Sequence, residues 1–246
     1  MSTADRNGDQ LGDQRADRQG GVSRVEAPGT GRAGLALYLV DHPLAQHKLS
    51  ILRDRLTPVA LFRSTVRELG RLMAFAASVD LPRIVRPIDT PLAPMQAPAV
   101  DESRLMIVPV LRAGLPLAEA FSELMPGASI GHVGVYRDAQ ARPVEYLVKL
   151  PPPAAGVPTR CFVVDPMLAT GNSVAHTLDV LVARGFDLRE IRLVSLLAAP
   201  EGLDLLGRRF PGLIVYVTAI DERLDERAYI LPGLGDAGDR MFGTEH

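Results

Sequence analysis

Between Met106 and Val217 the chain alternates short apolar runs with stretches whose apolar residues recur every three or four positions. The runs are Met106–Val110, His132–Tyr136, Cys161–Val164, Ile191–Leu197 and Leu213–Val217. The helical stretches between them are Leu115–Leu124, Ser173–Arg184 and Leu203–Phe210. A strand that is apolar at every position, not at alternate ones, is buried on both faces, which is the condition of a parallel sheet covered by helices. The pattern therefore predicts an α/β fold with a parallel-sheet, Rossmann-like core flanked by helices. In such folds ligands sit beyond the carboxyl ends of the strands. For the stretch after Cys161–Val164, Ser173 is the expected N-cap and Gly185 the stop. Val174, Leu178, Leu181 and Val182 fall on its core face, with His176 and Asp179 elsewhere.

The preceding sequence divides in two. Residues 1–35 are rich in Asp, Arg, Gln and Gly and nearly free of aliphatic side chains, so they are expected to form a flexible arm, with the domain spanning 36–246. From His42 to Ala77, Leu49, Leu52, Leu56, Leu61, Phe62, Val66, Leu69, Leu72 and Met73 recur at helical spacing, with a break at Thr57-Pro58. That predicts two helices joined by a turn, followed by irregular or extended structure over the Pro-rich Asp80–Pro98. A formal net charge of −2 gives no bulk attraction to nucleic acid or to an anionic membrane. The single cysteine, Cys161, and the lack of a long apolar span point to a cytoplasmic protein. Gly29, Gly31 and Gly34 spell GxGxxG, but no strand precedes them, so the dinucleotide fingerprint does not apply.

One strand end carries unusual chemistry. In VVDPMLATGNS, Val163–Ser173, an apolar run ends in a carboxylate and passes through small polar residues into a helix. Unpaired N–H groups and the positive end of the helix dipole converge at such a start and suit a phosphate. Gly171 permits close approach, while the Thr170 and Ser173 hydroxyls can donate to phosphate oxygens. Asp165 repels phosphate but accepts hydrogen bonds from sugar hydroxyls. A phosphorylated sugar fits both ends. A capped turn with no ligand fits the same residues.

DPMLATGNS resembles the phosphoribosyl-diphosphate (PRPP) loop of the uracil phosphoribosyltransferase family. HPLAQHKL at His42–Leu49, VPVLRAGL at Val108–Leu115, VGVYRDA at Val133–Ala139 and YILPGLGDAGDRMFGT at Tyr229–Thr244 resemble further family segments. The resemblance implies a phosphoribosyltransferase-like core with a C-terminal glycine-rich hood over the base. It implies that Asp165, Pro166, Met167, Leu168, Ala169, Thr170, Gly171, Asn172 and Ser173 form the PRPP loop. Arg112 and Arg137 then bind the diphosphate, with a mobile loop, Asp138–Arg142, after Arg137. Tyr229, Ile230, Gly235, Asp236 and Ala237 contact uracil, and Asp236 also approaches PRPP. Asn172 stands where the commoner bacterial loop has glycine.

The implied reaction converts uracil and PRPP to UMP and diphosphate, with Arg112, Arg137 and Asp236 as catalytic groups. The implied cofactor is Mg²⁺, held mainly by diphosphate and water and not directly by the protein. Family members form homodimers or homotetramers, and some respond to GTP as an effector. Gly233, Gly235 and Gly238 form a second GxGxxG, but too little chain follows for a dinucleotide unit. There is no HExxH or GxxxxGK[ST]. A second reading stays open: a phosphoribosyltransferase-like regulator that senses pyrimidine nucleotide with little catalysis.

Overall fold

The computed structural model describes residues 18–19, 21–25, 34–137, 143–152 and 159–244, with the backbone alone at 18–19, 135–137 and 143–145. Strands β1 (Arg18–Gln19), β2 (Val22–Val25) and β3 (Ala36–Val40) precede helices α1 (Pro43–Arg53) and α2 (Val59–Ala77). A hairpin of β4 (Ile84–Asp89) and β5 (Pro94–Ala99) leads to β6 (Leu105–Leu111), α3 (Leu115–Leu124), β7 (Ser129–Ile130), β8 (His132–Arg137) and β9 (Pro143–Lys149). Next come β10 (Arg160–Val164), β11 (Met167–Leu168), α4 (Asn172–Ala183), β12 (Ile191–Ala198), α5 (Pro200–Arg209) and β13 (Ile214–Ile220). The last described elements are β14 (Arg223–Leu224), β15 (Ile230–Leu231) and α6 (Ala237–Phe242).

The predicted α/β architecture is the one observed. The main sheet runs β1-β2-β3-β13-β12-β10-β6-β8-β9. From β3 to β8 every neighbouring pair is parallel, and antiparallel strands are added at both edges. Helices α1, α2 and α3 bury Leu49, Phe62, Leu69 and Phe121 against one face, while α4 and α5 bury Leu178, Leu181 and Leu203 against the other. The central strands serve both layers: Phe162 and Val164 face the first, Cys161 and Val163 the second. This double burial is why these strands read as continuous apolar runs.

The chain leaves the two middle strands in opposite directions across the sheet. From β6 it moves through α3 to β8, and from β10 through α4 to β12 and then β13. The carboxyl ends of β6 and β10 lie side by side, with Val164 in register with Pro109. A crevice forms at such a reversal, because the connecting segments diverge to opposite faces of the sheet.

Several local expectations need correction. Gly171, not Ser173, caps α4. It adopts a left-handed conformation, φ 80°, and lets the helix begin at Asn172. Val182 is 46% exposed, and the core face of α4 is Val174, Ala175, Leu178 and Leu181. Leu56 and Leu61 are exposed; Leu56 falls in the turn between α1 and α2. The helix expected at Leu203–Phe210 starts earlier, at Pro200, because proline at the first helical position supplies a preset φ that hydrophobic periodicity does not register. Within the segment expected as an arm, β2 pairs with β3, placing Val22 opposite Val40; a strand therefore does precede Gly29, contrary to expectation, but strand β3 and not a helix follows Gly34, so the dinucleotide fingerprint still does not apply.

Candidate active site

Two strand ends supply the polar floor. After β6 the chain turns through Arg112 and Ala113 into Gly114, the cap of α3, and the Leu111–Arg112 peptide is cis. Gly114 is packed too closely for any side chain: a Cβ there would overlap the carbonyl of Val164 and the backbone of Val110. The turn is thereby seated directly on β10. The Arg112 guanidinium lies over the Phe242 ring, 5.6 Å from its centroid, and so reaches from the floor to the last turn of α6. Such a contact orients the cation without consuming its hydrogen-bond donors.

After β10, Asp165 is buried at 9% exposure, and its N–H donates to Val194 at 3.1 Å. The chain then threads along the end of β12. The Pro166 carbonyl accepts from Leu196 and Leu197 at 3.1 and 3.2 Å, and the Leu168 carbonyl accepts from Ala199 at 2.9 Å. These bonds fix the loop without using the far side of its backbone. The first helical bond of α4 runs from Ala175 N–H to the Gly171 carbonyl, 2.8 Å. The N–H groups of residues 172–174 therefore have no intrahelical acceptor; that of Asn172 makes a long contact, 3.5 Å, to the Thr170 hydroxyl. Asn172 occupies a helical position, so the left-handed geometry in this loop falls on Gly171 and not on the asparagine.

The hood closes from the C-terminal side. Gly233 and Gly235 have φ of 61° and 79°, and Asp236 caps α6 by accepting from Asp239 N–H at 2.9 Å. Asp225 holds the turn before it, accepting from the N–H groups of Arg227 and Tyr229 at 2.9 and 2.8 Å. Ala228 takes a positive φ of 65° within that turn.

Floor and hood enclose one cavity of about 410 Å³. Arg112, Asp165, Met167, Ala169 and Ser173 line it from the floor, and Tyr229, Ile230, Gly235, Asp236 and Ala237 from the hood. Pro166, Leu168, Thr170, Gly171 and Asn172 belong to the same loop but do not line the cavity; Leu168 is wholly buried in the core. The Ile230 side chain is also buried, so its backbone is the part available to a ligand. Arg137 ends β8, but its side chain lies outside the described residues, as does the loop Asp138–Arg142. The sequence reading missed Arg227 and Ala228 at the cavity wall. Their setting in a charged run, DERLDERAY, reads as solvated surface, and only the Asp225 turn would have signalled otherwise. A larger cavity of about 830 Å³ lies between β2–β3 and α2, lined mainly by apolar side chains such as Tyr38, Phe75 and Tyr216. Its lining includes the start of α1 at His42 and Leu44 but no carboxylate, whereas the smaller cavity brings Asp165 and Asp236 together.

A helix start and a carboxylate side by side at the reversal point of a parallel sheet are the build of the phosphoribosyltransferase fold. The adenine phosphoribosyltransferase of Trypanosoma brucei, solved with AMP, pyrophosphate and ribose-5-phosphate, shares that fold with a TM-score of 0.51 at 11% identity, over 84% of this chain and 90% of that one. A solved protein of Aquifex aeolicus aligns with a TM-score of 0.80 at 30% identity, over 85% of this chain and 99% of that one. The chain belongs to the uracil phosphoribosyltransferase family, whose model matches residues 39–244. It is 48% identical to the uracil phosphoribosyltransferase of Ralstonia pickettii over 211 residues, which is 85% of this chain and 96% of that protein. Against that of Rhodospirillum centenum it is 49% identical over 210 residues, with the same coverage. It is thus a glycosyl-transferring enzyme by family.

Proposed function

We propose that this cavity joins uracil to PRPP, giving UMP and diphosphate in pyrimidine salvage. The observation that carries the reading is that Asp165 and Asp236, from strand end and hood, line one cavity. The helix start at Ser173 receives the 5-phosphate, and Asp165 accepts from the ribose hydroxyls. Gly235–Ala237 presents its backbone edge to the flat base, which offers two carbonyl acceptors and N–H donors. As the bond from the base nitrogen to ribose C1 forms, the bond from C1 to diphosphate breaks. Positive charge builds on the sugar, and negative charge leaves with diphosphate. Arg112 stabilises that leaving charge from the floor, and Arg137 joins it from the end of β8. Asp236 orients the base and is placed to accept its proton.

The donor set suits Mg²⁺. Asp165 and Asp236 line the cavity, and because Mg²⁺ keeps several waters and takes substrate phosphates as ligands, diphosphate and water would supply most of its coordination there. When bound it neutralises diphosphate oxygens and so eases their departure. The family resemblance further suggests a homodimer or homotetramer, a GTP effector and a cytoplasmic location; sedimentation and rate measurements with added GTP address the first two.

Incubating the protein with uracil, PRPP and Mg²⁺ is expected to yield UMP and diphosphate in equal amounts. Binding of both substrates without turnover would favour the nucleotide-sensing regulator instead. Asp236→Asn is expected to lower kcat by about tenfold or more. Unchanged turnover in that variant would remove Asp236 from the chemistry.

A further inference from the structure

Gly233 is gripped on both sides of its backbone by one ion pair outside the cavity. Its N–H donates to Asp221 at 2.9 Å, and its carbonyl accepts from Arg53 at 2.8 Å. Arg53 also forks onto both oxygens of Asp221, at 2.8 and 2.6 Å. The pair brings together distant elements: Arg53 ends α1, and Asp221, 8% exposed, follows the carboxyl end of β13. Asp221 is itself tied to the sheet, its N–H donating to Ala198 at 2.9 Å. One residue further along the hood, Arg240 takes the Leu234 carbonyl at 2.7 Å and the Asp54 carbonyl at 2.6 Å, anchoring Leu234 to the same end of α1. With Gly233 and Leu234 held in this way, the first hood residues that line the cavity after them are Gly235, Asp236 and Ala237.

We propose that the Arg53–Asp221 pair is a positioning device for the base subsite: it fixes the level and tilt of the Gly235–Ala237 edge and so governs the affinity for the flat base without touching it. A backbone edge can read a planar ring only if it lies in the plane of the ring, so a small displacement of Gly233 weakens every contact at once. The PRPP loop is held by β12 instead, its Pro166 and Leu168 carbonyls accepting from Leu196, Leu197 and Ala199, so the pair bears on the hood directly and on that loop only through the end of β12 at Ala198. A planar fork serving two carboxylate oxygens and a carbonyl is a task for guanidinium and not for an ammonium. The proposal rests on the assignment of uracil to the hood.

The test is steady-state kinetics of the full-length chain with both substrates varied, for Arg53→Met, Arg53→Lys and Asp221→Asn, with Gly235→Ala as a control on the assignment itself. Arg53→Met is expected to raise KM for uracil about tenfold while KM for PRPP stays within about twofold. Arg53→Lys should recover only part of the loss. Asp221→Asn keeps an acceptor for Gly233 and, as the milder change, gives a readable variant if Arg53→Met does not fold. Equal changes in both KM values, or a lowered Tm with unchanged KM for uracil, would show a merely structural tie and overturn the proposal. If Gly235→Ala raises KM for uracil and the Arg53 and Asp221 variants do not, the positioning role alone fails. If Gly235→Ala also leaves that KM unchanged, the base-site assignment fails with it.

Discussion

Replacing Gly202 by alanine should damage PRPP use more than stability, although Gly202 does not line the cavity. It is the third residue of α5, and α5 begins where β12 ends, directly behind the PRPP loop. A Cβ at Gly202 would overlap the carbonyl oxygen of Ala169 and press on the Leu168 carbonyl at 3.1 Å and the Ala169 carbonyl carbon at 3.2 Å. All three are backbone atoms, so no rotamer change relieves them, and the loop must retreat by about an ångström to reach ordinary contact. Gly171 meets Gly202 from the other side; a Cβ on Gly171 would stand 3.1 Å from the Gly202 carbonyl. The loop and the helix therefore approach through paired glycines, and the displacement is delivered to the start of α4, the proposed phosphate site. Misplacement by about 1 Å of a substrate-holding group costs about 10²-fold in rate, or about 2.7 kcal/mol of transition-state stabilisation. Helix propensity acts in the opposite direction, since alanine is favoured over glycine inside a helix by up to about 1 kcal/mol. Gly202→Ala is thus expected to lose about 10²-fold in kcat/KM for PRPP with a small change in Tm. Initial rates at saturating uracil, with PRPP varied, measure the first, and calorimetry the second. A variant with kcat/KM within about twofold of the parent and a raised Tm would mean that the loop does not bear on α5 as described, and the link from close packing to catalysis would be refuted.

Two further predictions concern the opposite, amino-terminal edge of the sheet and its interior. Asp80 bonds to Arg160 and Arg192 at 2.7 and 2.6 Å, and both arginines are almost fully buried. Burial of Asp80 raises its carboxyl pKa, but the hydrogen bond and charge of Arg192, with help from Arg160, outweigh it and hold the group below the ordinary range. A depressed pKa stabilises the fold above the unfolded value, about 3.9, and that contribution is lost as pH falls through the folded value. Asp80→Asn should therefore lower stability near neutrality and flatten the acid limb of a Tm-against-pH curve. Removing a partner from buried charges costs about 3–5 kcal/mol, and half-exposure of Asp80 reduces this to about 1–2 kcal/mol. An unchanged acid limb would dismiss the linkage. Cys161 is wholly buried, and that burial pushes its thiol pKa up, so a thiol reagent should leave the native protein unlabelled and label it once on unfolding. Prompt native labelling would show that β10 opens readily.

What could be read from the sequence follows the range over which each signal acts. The β-strands before Arg112 and Asp165 were legible because double burial writes itself as apolar runs, LMIVPVL and CFVV, and the order of strands and helices then restricts where ligands sit. The loop Asp165–Ser173 was legible because a carboxylate, small residues and a helix start are neighbours in the chain. The hood was legible only by family resemblance, since glycine spacing alone is equally an ordinary turn. Gly202, Arg53, Asp221 and Arg240 were not legible, and the reason is the same for all four. Each acts on a backbone group distant in sequence or on the other side of a turn: Gly202 on Ala169, Arg53 on Gly233 across 180 positions, and Arg240 on Leu52 across 188. Nothing in the identity of an arginine near a helix end says that it will take a carbonyl rather than water, and nothing in a helical glycine says that a loop will come to rest on it. Such contacts bring the C-terminal hood to bear on the N-terminal helix pair and the PRPP loop on α5. The groups that would meet substrate are therefore carried on segments whose mutual placement depends on residues with no chemical signature of their own. A substitution at one of those residues should appear in kinetics as a selective loss for one substrate, because each support serves one side of the cavity.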